Sequence, residues 1–147
     1  MERKDFEKLV DEGVAAVPSK FREKIKNVAF LVADFPTKKQ LQENDIPEGS
    51  MLLGLYEGVP LTERGEQYGV GATFPDRITI FQMPIEKEAG YGLAKAGENI
   101  EKMREIVKET IWHEVAHYFG MNEEEVEKRE GEINNADRLF FAETKTG

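Results

Sequence analysis

The sequence contains no cysteine among its 147 residues. This absence excludes disulfide bridges, zinc sites built on thiolates and catalysis by a thiol nucleophile, so any reactive centre must use histidine, carboxylate, tyrosine or arginine side chains. No uninterrupted apolar stretch approaches the roughly 20 residues that a membrane-spanning helix needs. The opening residues, MERKDFE, are too charged for the apolar segment of a signal peptide. We therefore expect a cytoplasmic protein without a membrane partner.

Positive charge is also scarce. The chain has 20 Lys and Arg against 29 Asp and Glu, which gives a net charge of -9. Such an acidic balance favours solubility and disfavours nucleic acid as a partner. With 39% hydrophobic content in 147 residues, the chain is long enough for one domain with an apolar core and too short for two comfortable ones. We expect one domain over residues 1–147, and the oligomeric state stays open.

Histidine is almost absent, and its 2 occurrences fall in one short motif. His113 and His117 flank Glu114 in the string HEVAH, an H-E-x-x-H pattern. On a helix, residues four apart lie one turn apart on the same face, so the two imidazoles can share a metal ion while Glu114 lies beside them. Three protein ligands and one open position are typical of zinc hydrolases. The motif therefore predicts His113 and His117 as metal ligands and Glu114 as the general base.

The sequence around the motif indicates a mostly buried helix. Apolar side chains recur there at helical spacing, at Met103, Val107, Ile111 and Val115. An unpartnered carboxylate at Glu114 would be costly in such a setting, and a water molecule held by a metal ion would remove that cost. The alternative is that the histidines are hydrogen-bonded polar residues on a half-buried face and that the glutamate is a solvated charge.

A third metal ligand must come from outside the five-residue motif. Gly120 is well placed to end the helix in a left-handed turn, after which the chain can return toward the metal. Glu123 then occupies the last position of an H-E-x-x-H-x-x-G-x-x-E string, where metzincin-type sites carry their final histidine. We predict Glu123 as the third ligand. Glu124 and Glu127 are alternatives, as is a plain second helix capped by Asn122, whose first turn favours acidic residues without any metal.

A second string of residues lies upstream of the motif. Residues 52–65 read LLGLYEGVPLTERG, and together with residues 113–123 they resemble a family of small bacterial single-domain metallopeptidase-like proteins with a minimal zincin fold. The resemblance runs through most of the chain. It implies that His113, His117 and residue 123 bind the metal, that Glu114 is the base, and that the protein is a peptidase-like hydrolase. The family usually has Asp at the last motif position, where this chain has the longer Glu123.

The remaining patterns predict alternating helices and strands. Helices are expected at residues 6–17, 21–25, 37–41 and 84–95, and strands at residues 28–32, 51–56 and 78–81. A charged helix is expected at residues 123–130. The long irregular stretch at residues 57–76 is either a rim or lid over the cleft or a surface loop without a catalytic part.

These elements predict an α+β fold of the zincin-like type. We expect a small three- or four-stranded mixed sheet packed against the helix that carries the H-E-x-x-H motif, with the N-terminal helices on the same side. In zincins a sheet edge beside the cleft often receives an extended substrate, which adds main-chain hydrogen bonds. Residues 78–81 are the candidate for that edge.

The predicted chemistry is hydrolysis of a peptide or protein substrate with one Zn²⁺ ion as cofactor. Glu114 would take a proton from water and deliver it to the leaving amine. The sequence does not determine which side chain stabilises the oxyanion. The candidates are Tyr68, Tyr91, Tyr118 and Arg64, each of which can equally have a structural role. Iron also suits two histidines and a carboxylate, but zinc is the commonest occupant of an H-E-x-x-H helix.

Two other classes of function remain open on the sequence alone. The first is a metal-binding regulatory or interaction protein that keeps a zincin fold with little or no peptidase turnover. The second is an α+β interaction module that binds no metal.

Overall fold

The computed structural model describes residues 1–59, 64–65, 75–93, 96–121, 124–125 and 128. Along these residues the elements are α1 (Arg3–Ala15), α2 (Ser19–Arg22), β1 (Val28–Ala33), α3 (Lys38–Glu43), β2 (Gly54–Glu57), β3 (Asp76–Phe81), α4 (Gln82–Ala89) and α5 (Ala96–Tyr118). Most of the expected helix at residues 123–130 and most of the irregular stretch at residues 57–76 lie outside the described residues.

Local sequence signals set several of the helix boundaries. Thr37 caps α3, because its side chain accepts a hydrogen bond from the Gln40 backbone N–H while the Gln40 side chain accepts one from the Thr37 N–H. The helix α4 starts at Gln82, two residues earlier than expected, with Pro84 in its first turn, where a missing N–H costs no helical hydrogen bond. It ends at Ala89 and not near residue 95, because Gly90 adopts a left-handed conformation with φ of 67°.

The sheet has three strands in the order β1-β3-β2. β1 runs parallel to β3, and β2 runs antiparallel to it, so the sheet is mixed as expected. The expectation that residues 78–81 form the sheet edge is wrong, since β3 lies in the centre. The physical reason is that the backbone of β3 pairs along both of its edges, with β1 on one side and with β2 on the other. Its two faces are covered as well, since Ile78 and Ile80 are buried on one face and Thr79 and Phe81 on the other. The edge strands are therefore β1 and β2.

The apolar core lies between the helices and one face of the sheet. Ile78 and Ile80 of β3 pack in one cluster with residues of α1 and α5, among them Phe6, Val107 and Ile111. α1 and α5 approach each other closely at Gly13, where an added Cβ would lie 2.5 Å from Ile111 Cδ1. This packing confirms the expected placement of the motif helix and the N-terminal helix against the sheet.

Among the described residues, none of the helices combines the length and the apolar character that crossing a membrane requires.

Candidate metal centre and active site

The helix α5 carries the H-E-x-x-H motif in its last turns and ends where the sequence predicts. Gly120 has φ of 77°, in the left-handed region. Its N–H donates to the His117 carbonyl at 2.9 Å, and the Met121 N–H donates to the Ala116 carbonyl at 3.1 Å. These two hydrogen bonds form a Schellman motif, which satisfies carbonyls at the helix end and turns the chain away from the helix axis.

The motif residues form a compact donor set. Ligand atoms of His113, Glu114 and His117 all lie within 4.8 Å of one another. The two imidazole ring centroids are 4.9 Å apart, with their planes at 75°. Both histidines are half-buried, whereas Glu114 is buried with 7% of its surface exposed. Two imidazole nitrogens beside a carboxylate fit a zinc ion, which readily takes neutral imidazole as a ligand.

The carboxylate of Glu114 is held by the backbone of β2. Its Oε2 atom accepts a hydrogen bond of 2.8 Å from the Tyr56 N–H. A buried carboxylate needs such a partner, and the sequence pattern had indicated only a metal-held water for that role. The donor is a backbone N–H, which does not depend on the side chain of Tyr56, and it lies 58 residues away along the chain. The sequence could therefore not indicate this hydrogen bond.

The strand β2 turns part of its main chain toward α5. Tyr56 directs its N–H to Glu114, and backbone groups alternate in direction along an antiparallel strand. Gly54 lies two residues before Tyr56 on the same strand, so its N–H and C=O also point away from β3. A Cβ added at Gly54 would lie 2.6 Å from Thr110 Cγ2 and 3.2 Å from Glu114 Cγ. Glycine therefore permits the close approach of this strand to the motif helix.

A cavity of about 370 Å³ opens beside Glu114. It lies between the chain leading into β2 and the α5 turn that precedes the motif. Its lining residues are Met51, Leu52, Leu53, Gly54, Glu109, Thr110, His113 and Glu114. The cavity therefore has a largely apolar wall on the strand side and borders both the first motif histidine and the glutamate.

The predicted third ligand falls outside the described residues. Glu123, Asn122 and Glu127 all lie there, so the choice of Glu123 stays a prediction. Glu124 is described and is exposed.

The four candidates for oxyanion stabilisation have different surroundings. Tyr118 is fully buried, and its hydroxyl accepts a 2.8 Å hydrogen bond from the Lys26 N–H. Arg64 forms a buried ion pair of 2.7 Å with Asp76. Tyr91 lies exposed in the turn after α4, and Tyr68 lies outside the described residues. Both Tyr118 and Arg64 thus have polar atoms engaged in structural contacts.

A buried polar cluster connects β2, β3 and the end of α5. We call it the Asp76 cluster, and it consists of Tyr56, Arg64, Asp76 and Tyr118. The Tyr56 hydroxyl donates to Asp76 Oδ2 at 2.5 Å, and burial followed by this hydrogen bond raises the pKa of the phenol above its usual value. Sequence reasoning missed Tyr56 and Asp76 as functional candidates. The available signal was an acid at the start of a buried strand, together with the tyrosine and arginine of the upstream string.

The mixed sheet, the buried motif helix and the histidine-glutamate donor set are the features expected of a zincin-like fold with a candidate metal site. Comparison with protein families matches residues 25–133 to the zincin-like metallopeptidases. Because this match covers most of the chain, the protein belongs to that family, and the resemblance and the zincin-like α+β fold are confirmed. Comparison with curated proteins finds no matching sequence.

Proposed function

We propose that this protein is a zinc-dependent peptidase that hydrolyses peptide bonds in a peptide or protein substrate. The observation that carries the proposal is the buried Glu114, whose carboxylate lies beside two half-buried imidazoles and is oriented by a strand N–H. His113 and His117 would hold the ion, with Glu123 as the proposed third ligand. A bound zinc ion supplies a Lewis acid, which makes water acidic enough to ionise near neutral pH.

Glu114 acts as general base and then as general acid. Its carboxylate takes a proton from the attacking water and passes the proton to the leaving amine nitrogen. A general base must lie within hydrogen-bond reach of the proton it takes, so its position matters as much as its basicity. The Tyr56 N–H at 2.8 Å restrains one carboxylate oxygen and so limits the rotation of the group.

The edge of β2 is the proposed binding site for an extended substrate. Gly54 turns its main-chain donor and acceptor away from β3, on the side of the strand that borders the motif helix. A peptide strand laid along this edge would gain main-chain hydrogen bonds, which need no particular side chain. One substrate side chain next to the scissile bond would then enter the cavity beside Thr110 and His113.

A second candidate function is metal-dependent binding with little or no turnover. It is favoured by one observation: two of the four candidates for oxyanion stabilisation have polar atoms engaged elsewhere, because the Tyr118 hydroxyl accepts from the Lys26 N–H and Arg64 pairs with Asp76. A site that binds zinc and peptide without stabilising the oxyanion would hydrolyse slowly.

Replacement of the base tests the proposal. Glu114→Gln keeps the length of the side chain and an oxygen that can accept from the Tyr56 N–H. We expect hydrolysis of an unstructured peptide library to fall by about 100- to 10,000-fold, with unchanged zinc stoichiometry by elemental analysis. Glu105→Gln, at an exposed position of the same helix, is the matched control and should keep full activity.

Other outcomes distinguish the alternatives. Zinc-loaded wild-type protein that cleaves no peptide would support the binding protein. Wild-type protein that takes up no zinc would contradict both candidates.

A further inference from the structure

We propose that Asp76 is a positioning residue for the general base, acting through Tyr56. In this arrangement Asp76 anchors the Tyr56 side chain, and the backbone N–H of the same residue fixes the Glu114 carboxylate. The catalytic part of this inference rests on the proposed peptidase function, whereas the structural link can be tested without it.

The first step is that one residue makes both contacts. Tyr56 donates its N–H to Glu114 Oε2 at 2.8 Å and its hydroxyl to Asp76 Oδ2 at 2.5 Å. Tyr56 lies on a strand of only four residues at the sheet edge, where fewer ladder hydrogen bonds restrain the main chain than in a central strand. The side-chain anchor therefore adds a restraint at the point where the strand meets the base.

The second step is that Asp76 is itself held on several sides. It is 3% exposed. Its Oδ2 atom pairs with Arg64 Nη2 at 2.7 Å, and its Oδ1 atom accepts from the Val59 N–H at 3.2 Å. Arg64 in turn donates through Nε to the Val59 carbonyl at 3.0 Å. A buried carboxylate with an ion-pair partner and further hydrogen bonds has a well-defined position, because leaving any of these groups unpaired is costly.

The third step is the contact of the cluster with the end of the motif helix. The Arg64 guanidinium carbon lies 4.9 Å from the centre of the Tyr118 ring, which also meets the Tyr56 ring edge-to-face at 6.2 Å. Tyr118 directly follows His117 on α5. The same four side chains therefore touch the strand that fixes the base and the helix turn that carries the second histidine.

This arrangement gives a role to four positions of the upstream string at residues 52–65, among the part of it that the structure describes. Gly54 allows β2 to approach α5, and Tyr56 links the strand to both carboxylates. A Cβ at Gly58 would lie 2.3 Å from Asp76 Cγ, so glycine leaves room for the acid. Arg64 supplies the countercharge. Gly54, Tyr56, Gly58 and Arg64 thus all support the contact between β2 and the Glu114 carboxylate.

The experiment follows the Tyr56 backbone amide, which connects the Asp76 anchor to the Glu114 carboxylate. Tyr56→Phe removes only the hydroxyl and keeps the ring and the N–H. Amide hydrogen exchange at position 56, taken relative to the core amide of Val107 to cancel global destabilisation, should become about two- to tenfold faster. Because misplacement of a catalytic group by about 1 Å can cost 100-fold, we expect kcat for peptide hydrolysis to fall about tenfold, with KM changed by less than about twofold.

A matched control separates positioning from stability. Asn99 is buried, and its side chain donates to the Ala89 and Gly90 carbonyls. It lies 14 residues before His113 on α5, about 21 Å away at the rise of a helix. Asn99→Ala should destabilise the fold, leave the exchange ratio of Tyr56 to Val107 unchanged, and leave kcat unchanged.

Asp76→Asn is the second variant, because it keeps the size of the side chain and one acceptor oxygen, for either Tyr56 or Val59, while it removes the charge that faces Arg64. It should move the exchange ratio and kcat in the same direction as Tyr56→Phe, and failure of either variant to fold leaves the other to decide.

An unchanged exchange ratio in the folded variants overturns the link, whether or not the wild type is a peptidase. A raised ratio with kcat equal to that of Asn99→Ala overturns the positioning role and leaves a structural cluster. Wild-type protein without peptidase activity defeats the proposed function, while the exchange ratio still decides the link.

Discussion

The close approach of β2 to the motif helix makes Gly54→Ala a sharp test of how the site is built. The added Cβ would lie 2.6 Å from Thr110 Cγ2 and 3.2 Å from Glu114 Cγ. Carbon atoms in favourable contact are about 3.5–4.0 Å apart, so strand and helix must separate by about 1 Å. Thr110 cannot easily turn away, because its hydroxyl donates to the Ile106 carbonyl at 2.7 Å.

Two effects should follow from this separation. Overpacking of this kind costs about 1–3 kcal/mol of unfolding free energy. The same shift lengthens the hydrogen bond from Tyr56 to Glu114, and we expect kcat/KM to fall by about 100-fold while zinc content stays unchanged. Urea denaturation, peptide hydrolysis and elemental analysis of one preparation measure all three quantities.

A control and a compensating change make the test specific. Gly65→Ala adds the same Cβ where no atom lies within 4 Å and should leave activity and stability unchanged. Thr110→Ser removes the clashing methyl group, so Gly54→Ala combined with Thr110→Ser should recover part of the lost activity. Wild-type activity and stability in Gly54→Ala alone would refute the reasoning.

The pH dependence of stability and the preference of the cavity give two further predictions. Burial and the hydrogen bond to Asp76 raise the pKa of Tyr56 in the fold above the usual 10.0, so this phenol stabilises the protein below pH 10 and loses that contribution as pH rises. Urea titrations at pH 9 and 10.5 should show the stability advantage of wild type over Tyr56→Phe shrinking by up to about 1.4 kcal/mol per pH unit, and a constant difference would count against the raised pKa. Leu52→Ala should enlarge the cavity and so favour peptides with a large apolar side chain over peptides with a small one. We expect the ratio of the two kcat/KM values, measured in a competition assay, to rise by about tenfold. An unchanged ratio would exclude this cavity as a substrate pocket.

The parts of the fold that depend on neighbouring residues could be predicted from the sequence. Thr37 caps α3 through Gln40, and Gly120 closes α5, because both signals act within one helical turn. The apolar spacing of α5 likewise gives the burial of Val107 and Ile111. The two histidines and the glutamate meet because the helix itself brings them together.

The features that depend on distant pairing could not be predicted. The alternation in residues 78–81 is compatible with an edge strand, and only the pairing of the β3 backbone with both β1 and β2 makes this strand central. The donor to Glu114 is a backbone N–H, which every residue except proline possesses, so Tyr56 carries no distinguishing signal for that role. Likewise, Asp76 and Arg64 give no sign in the sequence that they form a buried ion pair.

The most direct measurement of the central claim is peptide hydrolysis by zinc-loaded wild-type protein beside Glu114→Gln, with the zinc content of both determined. Our account predicts equal zinc in the two proteins and hydrolysis by the wild type alone. Equal rates in the two proteins, or a wild type that binds no zinc, would contradict it.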